Sequence, residues 1–151
     1  VHGLGGSEML RTASETASIA ARAAGVIRPL ILAVTVLTSF NKNDISATGQ
    51  GSSVEKQAVR LARLAQNCGL DGVVCSPLVV NAIRKTCGPD FTIVVPGIRP
   101  SGVAIHDQKS VATPAKAIAA GASYLVIGRA ITGAVDPLTA LHNIVTEIQA
   151  L

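Results

Sequence analysis

The chain has 151 residues, 48% hydrophobic and 15% charged, with a mean hydropathy of +0.46 and a formal net charge of +4. That is apolar and charge-poor against the usual ~25% charged content, and it describes one domain whose strands are buried on both faces, as in a parallel sheet. No apolar run approaches the ~20 residues of a bilayer span, no basic segment leads into a signal-like apolar one, and 2% aromatics with scattered basic residues argue against nucleic acid; a small anion such as a phosphate ester suits the mild positive excess better.

The chain opens on VHGLGGSEML. Val1, His2 and Gly3 read as the tip of a β-strand, and Ser7 to Leu10 as the first turn of an Ala-rich helix over roughly 8–24 that stops near Gly25. Four short β-branched runs follow: LILAVTVLTS (30–39), GVVCS (72–76), TIVVPG (92–97) and YLVIG (124–128). Each is apolar throughout and closed by small or polar residues, as a buried parallel strand is.

Helices separate the runs. SSVEKQAVRLARLAQNCG (52–69) pairs Ser52 with Glu55 in a capping-box spacing, carries an apolar stripe of Val54, Ala58, Leu61, Ala65 and Cys68, and ends at Gly69. Ser76-Pro77, Thr113-Pro114 and Asp136-Pro137 each place a capping residue before a proline at the first helical position. In the last helix, Leu138, Leu141, Val145 and Ile148 form one apolar face.

Strict alternation of strand and helix means a parallel sheet with helical crossovers. A doubly wound open sheet fits the alternation, but no strand is followed by a G-x-G-x-x-G turn; GLGGS (3–7) has the glycines without the spacing. A repeat takes about 30 residues. The expected fold is therefore a single-domain α/β chain over 1–151, an incomplete (β/α)8 TIM barrel with its first part absent, since a whole barrel runs to ~200 residues or more.

In such barrels the chemistry lies at the C-terminal ends of the strands. Two of these ends carry an arginine, Arg99 and Arg129. Gly128 lets a backbone N–H approach an anion, and Arg129 can fork onto phosphate oxygens. PSGVAIHDQKSVATP (100–114) is a polar loop long enough to cover a ligand. Cys68, Cys75 and Cys87 match no zinc spacing and read as small buried hydrophobes of a reducing cytoplasm. His2, His106 and His142 read as a strand-tip wall, a solvated loop residue and a helix-surface residue.

Together, LILAVTVLTS, GLDGVVCS, PGIRP followed by DQ at Asp107-Gln108, TPAKAIAAGASYLVIGRAIT and DPLTAL resemble the bacterial orotidine 5'-phosphate decarboxylases, over essentially the whole chain. The resemblance implies decarboxylation of orotidine 5'-phosphate to UMP and CO2 in de novo pyrimidine biosynthesis, with no cofactor and no metal. It implies substrate binding by Thr38 and Pro96 beside the pyrimidine, by Arg99 at its strand end, by the loop residue Gln108, and by Gly128 and Arg129 at the phosphate.

The family's catalytic Lys and Asp side chains stand mainly on an Asp-x-Lys-x-x-Asp motif at the third strand. No such motif occurs here: Lys42–Asp44 and Asp107–Lys109 have the residue types without completing the spacing, and read as loop charges. The resemblance thus implies a chain running from the end of the fourth strand to the eighth helix, without catalytic residues of its own and inactive alone. Bare barrel edges lead us to expect closure by homo-oligomerisation or rearrangement. The alternatives are a non-enzymatic truncated barrel that forms an oligomer, or another phosphate-binding barrel enzyme of the hexulose-phosphate synthase kind.

Overall fold

The computed structural model describes residues 1–100 and 112–150. Its elements run α1 (Gly6–Ala24), β1 (Leu32–Val34), α2 (Lys42–Ala47), α3 (Val54–Asn67), β2 (Gly72–Val74), α4 (Val80–Cys87), β3 (Thr92–Val95), α5 (Pro114–Ala119), β4 (Tyr124–Leu125), α6 (Arg129–Thr132) and α7 (Pro137–Gln149). Short 3-10 turns at Gly3–Gly5 and Pro77–Val79 lead into α1 and α4.

The sheet is parallel and its order is β1-β2-β3-β4, the order of the sequence. Val1 and His2 extend it on the β1 side. His2 forms a parallel bridge with Val34, the Val34 amide donates to Val1 O at 2.8 Å, and the Val1 ammonium donates to Leu32 O at 2.9 Å. This order decides between the two architectures that the alternation allows. A doubly wound sheet reverses its strand order and carries helices on both faces. Right-handed crossovers taken always in one direction put every helix on the same face, which is how a barrel is wound. The fold is a partial α/β barrel.

The two faces of the sheet are buried unequally. Ala33, Val73 and Ile93 share one row and are fully buried, packed with Ala58, Leu61, Ala62, Ala65 and Ile83 of the helical layer. Val34, Val74, Val94 and Tyr124 share the next row; the valines are half-buried and Tyr124 is 59% exposed. Burial on both faces, the reading from composition, therefore holds only on the helical side. β2 and β3 also approach closely: a Cβ on Gly72 would lie 2.1 Å from Thr92 O, so only glycine fits there.

Local signals place most helix ends. Gly25 ends α1 in the left-handed region at φ 65°. Ser76, Thr113 and Asp136 cap the segments that Pro77, Pro114 and Pro137 begin. Hydrogen bonds from the Thr139 hydroxyl and from the Thr139 and Leu138 amides hold the Asp136 carboxyl below its usual range.

Three expectations change. α3 is capped by Ser53, which accepts from Lys56 N, so Ser52 and Glu55 form no capping box. The capping box lies at α2 instead, where Asn41 accepts from Asn43 and Asp44 amides and Asp44 accepts from the Asn41 amide; Lys42–Asp44 is the first turn of a helix and not a loop. In α7, Leu138, Leu141 and Val145 are exposed and Ile148 only half-buried. The inward stripe centres on Ile144, the one buried residue of α7, with Ala140, Glu147 and Ile148 half-buried beside it, because α7 packs on α5 and α6.

Two arginines tie the N-terminal ends of the strands together. Arg28 donates to Asp71 Oδ2 at 2.7 Å, Ser18 Oγ at 2.9 Å and Ser14 Oγ at 3.0 Å, and Asp71 Oδ2 also accepts the Ile31 amide at 2.6 Å. Arg84 donates to the carbonyls of Gly88, Pro89 and Phe91 at 2.7, 2.8 and 2.7 Å, to Gly121 O at 3.1 and 2.7 Å, and to Ser123 Oγ at 3.2 Å. Ser123 Oγ in turn accepts the Ile93 amide at 3.1 Å. Removing Arg84 strands several part-buried carbonyls, each charge-assisted bond being worth ~1.5–3 kcal/mol. Arg84→Ala is expected to lose about 3 kcal/mol in urea unfolding, and Arg84→Lys to recover less than half of it, because an ammonium lacks the planar fork.

Candidate functional site at the C-terminal ends of the strands

The polar groups at the C-terminal strand ends are less completely paired than those at the N-terminal ends, where Arg28 and Arg84 are held by several acceptors. After β1, Thr35 is buried, and its amide and hydroxyl both donate to Val74 O, at 3.0 and 2.9 Å. The chain then turns, with the Phe40 amide donating to Leu37 O at 3.0 Å, and leaves Thr38 half-buried within that turn. A depression of about 350 Å³ opens beside it, lined by Leu37, Phe40, Val54, Ser76, Leu78 and Val79 among others. A groove of about 570 Å³ lies instead along the outer side of α1, between Gly5 and Thr16. It starts at the turn that follows the Val1-His2 edge and holds none of the residues that the family resemblance singles out.

β3 leads into Pro96, which is half-buried, and Gly97, whose φ of 78° turns the chain as only glycine does easily. That turn brings Ile98 into a parallel bridge with Ala112, and the Arg99 amide donates to Ala112 O at 3.0 Å. Arg99 is 7% exposed. Its Nη1 donates to Ile98 O at 2.8 Å, while its Nε has no hydrogen-bond partner among the described residues. A buried guanidinium nitrogen without an acceptor is costly and asks for an anion.

β4 runs beside β3, with the Val126 amide donating to Val95 O at 2.9 Å. The ends that carry Arg99 and Gly128-Arg129 are therefore adjacent. Gly128 has a φ of −101° and nothing within 4 Å of where a Cβ would stand. Packing does not require glycine there; open space over its backbone is what an anion would use. Arg129 is exposed and begins α6. Thr38 lies two strands away from Arg99, about 10 Å at the usual strand spacing, so Thr38, Pro96, Arg99, Gly128 and Arg129 all lie at the same end of the sheet. Gln108 lies outside the described residues, as do His106, Asp107 and Lys109.

Below the Ile98–Ala112 bridge, α5 begins. Thr113 accepts the Lys116 amide at 3.3 Å, and Glu147 of α7 accepts the Ala115 amide at 3.1 Å. Glu147 carries no signal in the sequence beyond its place on the last helix. His2 is exposed at the edge of the sheet, and His142 is exposed on α7.

The cysteines lie inside the fold and are free thiols. Cys75 stands at the C-terminal end of β2, where burial pushes its thiol up to about 12, partly offset by the Arg84 charge. It is no nucleophile at neutral pH. The unfolded thiol ionises near its ordinary value of 9.0 and the folded one does not, so this contribution to stability is complete below pH 9 and is lost as the pH rises toward 12. The melting temperature of the chain is expected to fall across that window. Cys75→Ala should show a shallower fall, measured from its own value at pH 8.

A sequence model described as "Orotidine 5'-phosphate decarboxylase / HUMPS family" matches residues 1–144. The orotidine 5'-phosphate decarboxylase of Trichlorobacter lovleyi is 51% identical over 150 residues, which are 99% of this chain and 61% of the relative; that of Moorella thermoacetica is 49% identical over 99% of this chain and 60% of its own. Among solved structures, the orotidine 5'-phosphate decarboxylase of Lactobacillus acidophilus superposes with a TM-score of 0.80 at 39% identity, over 98% of this chain and 61% of that one. An uncharacterised conserved protein of Geobacillus kaustophilus superposes at 0.78 with 34% identity, again over 98% and 61%. The chain thus spans about 61% of the length of the relatives it matches.

Proposed function

The chain belongs to the Orotidine 5'-phosphate decarboxylase / HUMPS family, and from that membership we propose that it carries the nucleotide-binding side of an orotidine 5'-phosphate decarboxylase site in pyrimidine biosynthesis. The observation that carries the reading is Arg99, nine-tenths buried with an Nε that has no partner among the described residues, at a strand end adjacent to Gly128 and Arg129. Two guanidiniums and an open glycine backbone on neighbouring strand ends suit a phosphate monoester. Pro96 and Thr38, on the same end of the sheet, stand on the side left for the base. Gln108 is assigned to the phosphate by its match to the family motif alone.

The chemistry of the family needs a lysine to protonate the carbon that loses CO2, held among aspartates. This sequence has no Asp-x-Lys-x-x-Asp, and Lys42 and Asp44, the nearest in type among the described residues, lie in a short helix closed by its own capping box. We therefore assign binding without turnover to the chain alone. Binding energy at a phosphate drives chemistry only where a reactive group stands at the other end of the substrate.

The edges of the sheet support self-association. Among the described residues β4 pairs only with β3, and Val1-His2 only with β1. Tyr124, Val126, Leu138, Leu141 and Val145 on one side, and Val1 and Leu4 on the other, are exposed. Parallel edges flanked by apolar side chains are templates for pairing. Three buried free cysteines fit a reducing cytoplasm. Among the described residues no helix is long and apolar enough to cross a membrane.

Two measurements test the reading. UMP should raise the melting temperature of the chain, while orotidine 5'-phosphate should not be turned over; Arg99→Ala should abolish the UMP shift. Turnover at an enzymatic rate would refute the need for the missing lysine, and a folded sample without a UMP shift would remove the binding role. Light scattering after size exclusion should give a mass above the monomer at micromolar concentration, and a clean monomer would sink the association.

A further inference from the structure

We propose that Glu147 is a positioning residue for the Arg99 guanidinium, acting through the first turn of α5; the proposal rests on the reading of Arg99 as a phosphate ligand. Glu147 Oε1 accepts the Ala115 amide at 3.1 Å. That amide belongs to the first turn of α5 and has no acceptor within the helix. Thr113 already serves the Lys116 amide, so the two side chains divide the exposed donors between them. A carboxylate also interacts favourably with the positive end of a helix.

What this carboxylate holds is the connection to Arg99. Ala112, three residues before Ala115, accepts the Arg99 amide at 3.0 Å and is bridged to Ile98. Between Ala112 and Ala115 stand only Thr113, which caps α5, and Pro114, which is fully buried and has its φ set by its ring. There is little slack in such a connector. A shift of Ala115 passes to Ala112 and from there to the Arg99 backbone. Among the described residues the Arg99 side chain has one hydrogen bond, Nη1 to the carbonyl of the preceding Ile98, so its aim follows its backbone.

Simple helix packing does not account for a carboxylate at this position. The stripe that α7 turns inward is Ala140, Ile144, Glu147 and Ile148, while its leucines are exposed. An apolar residue at 147 would pack α7 on α5 equally well. It would leave the Ala115 amide without an acceptor.

The test uses the chain as it stands, titrated with UMP and with uridine by NMR. Loss of a helix-start acceptor is worth about fivefold in affinity if it is passed on to Arg99. Glu147→Ala should weaken UMP by that factor and leave uridine, which has no phosphate, within about twofold. Glu147→Gln, whose amide oxygen accepts the same bond, should restore UMP binding. Equal weakening of UMP and uridine would reduce Glu147 to a structural role, and unchanged UMP affinity would overturn the proposal outright. If the wild-type chain binds no UMP, the nucleotide reading fails and hydrogen exchange decides this one: Glu147→Ala must speed exchange at both the Ala115 and Arg99 amides relative to Val73. No change at Arg99 overturns it. Should Glu147→Ala not fold, Glu147→Asp, which falls one methylene short of the amide, is read in the same way.

Discussion

Parallel strands laid side by side in sequence order must each start from a separate loop, and those loops are fastened by guanidinium groups. Arg84 collects carbonyl oxygens from the end of α4, the approach to β3 and the turn before β4. Arg28, with Asp71, does the same between α1, β1 and β2. The rest of the architecture leans on these two clamps. With the starts of the strands held there, the register runs unbroken from Leu32 opposite Gly72 to Val95 opposite Leu125, and it delivers the opposite ends to defined neighbours.

The two ends of the sheet thus treat their guanidinium groups differently. The clamped end satisfies Arg84 with carbonyls and Arg28 with a carboxylate and two hydroxyls. The other end leaves Arg99 buried with a nitrogen unpartnered among the described residues, beside a glycine with open space over it. Polar groups left in this state are a cost to folding that a bound anion offsets. Among the described residues it is Arg99, and not the clamped arginines, that the fold leaves with an unsatisfied nitrogen.

Much of the fold is legible because its signals are local. Ser76-Pro77, Thr113-Pro114 and Asp136-Pro137 each define a helix start within two residues, and the four β-branched runs contain the four strands. The runs are longer than the strands, because residues such as Val36 are buried without pairing as regular strand. Neighbouring serines mislead: Ser52 has the spacing, yet Ser53 has the geometry. α2 escapes because six residues starting Lys-Asn-Asp look like loop charge until the Asn41 cap is seen. The outward face of α7 is more apolar than its inward face, so periodicity selects the wrong stripe. Arg28, Arg84 and Glu147 are illegible for a different reason. Their acceptors and donors are scattered over distant segments of backbone, and backbone groups leave no mark in a sequence. Thr38, Pro96, Arg99, Gly128 and Arg129 are proposed as site residues from motif alone; what the structure adds is that all five lie at one end of the sheet, those of β3 and β4 on adjacent strand ends.

The order of the strands also bears on time. Each strand pairs with the one made just before it, across a single βα repeat of about 30 residues. A chain emerging from the ribosome can therefore add each unit to a surface already formed, with only modest loop-closure entropy at every step. Arg84 cannot complete its clamp until Gly121 and Ser123 have emerged, so the seam between β3 and β4 is sealed late. During synthesis the growing edge is always the newest strand, and each strand that emerges covers the edge of the one before it.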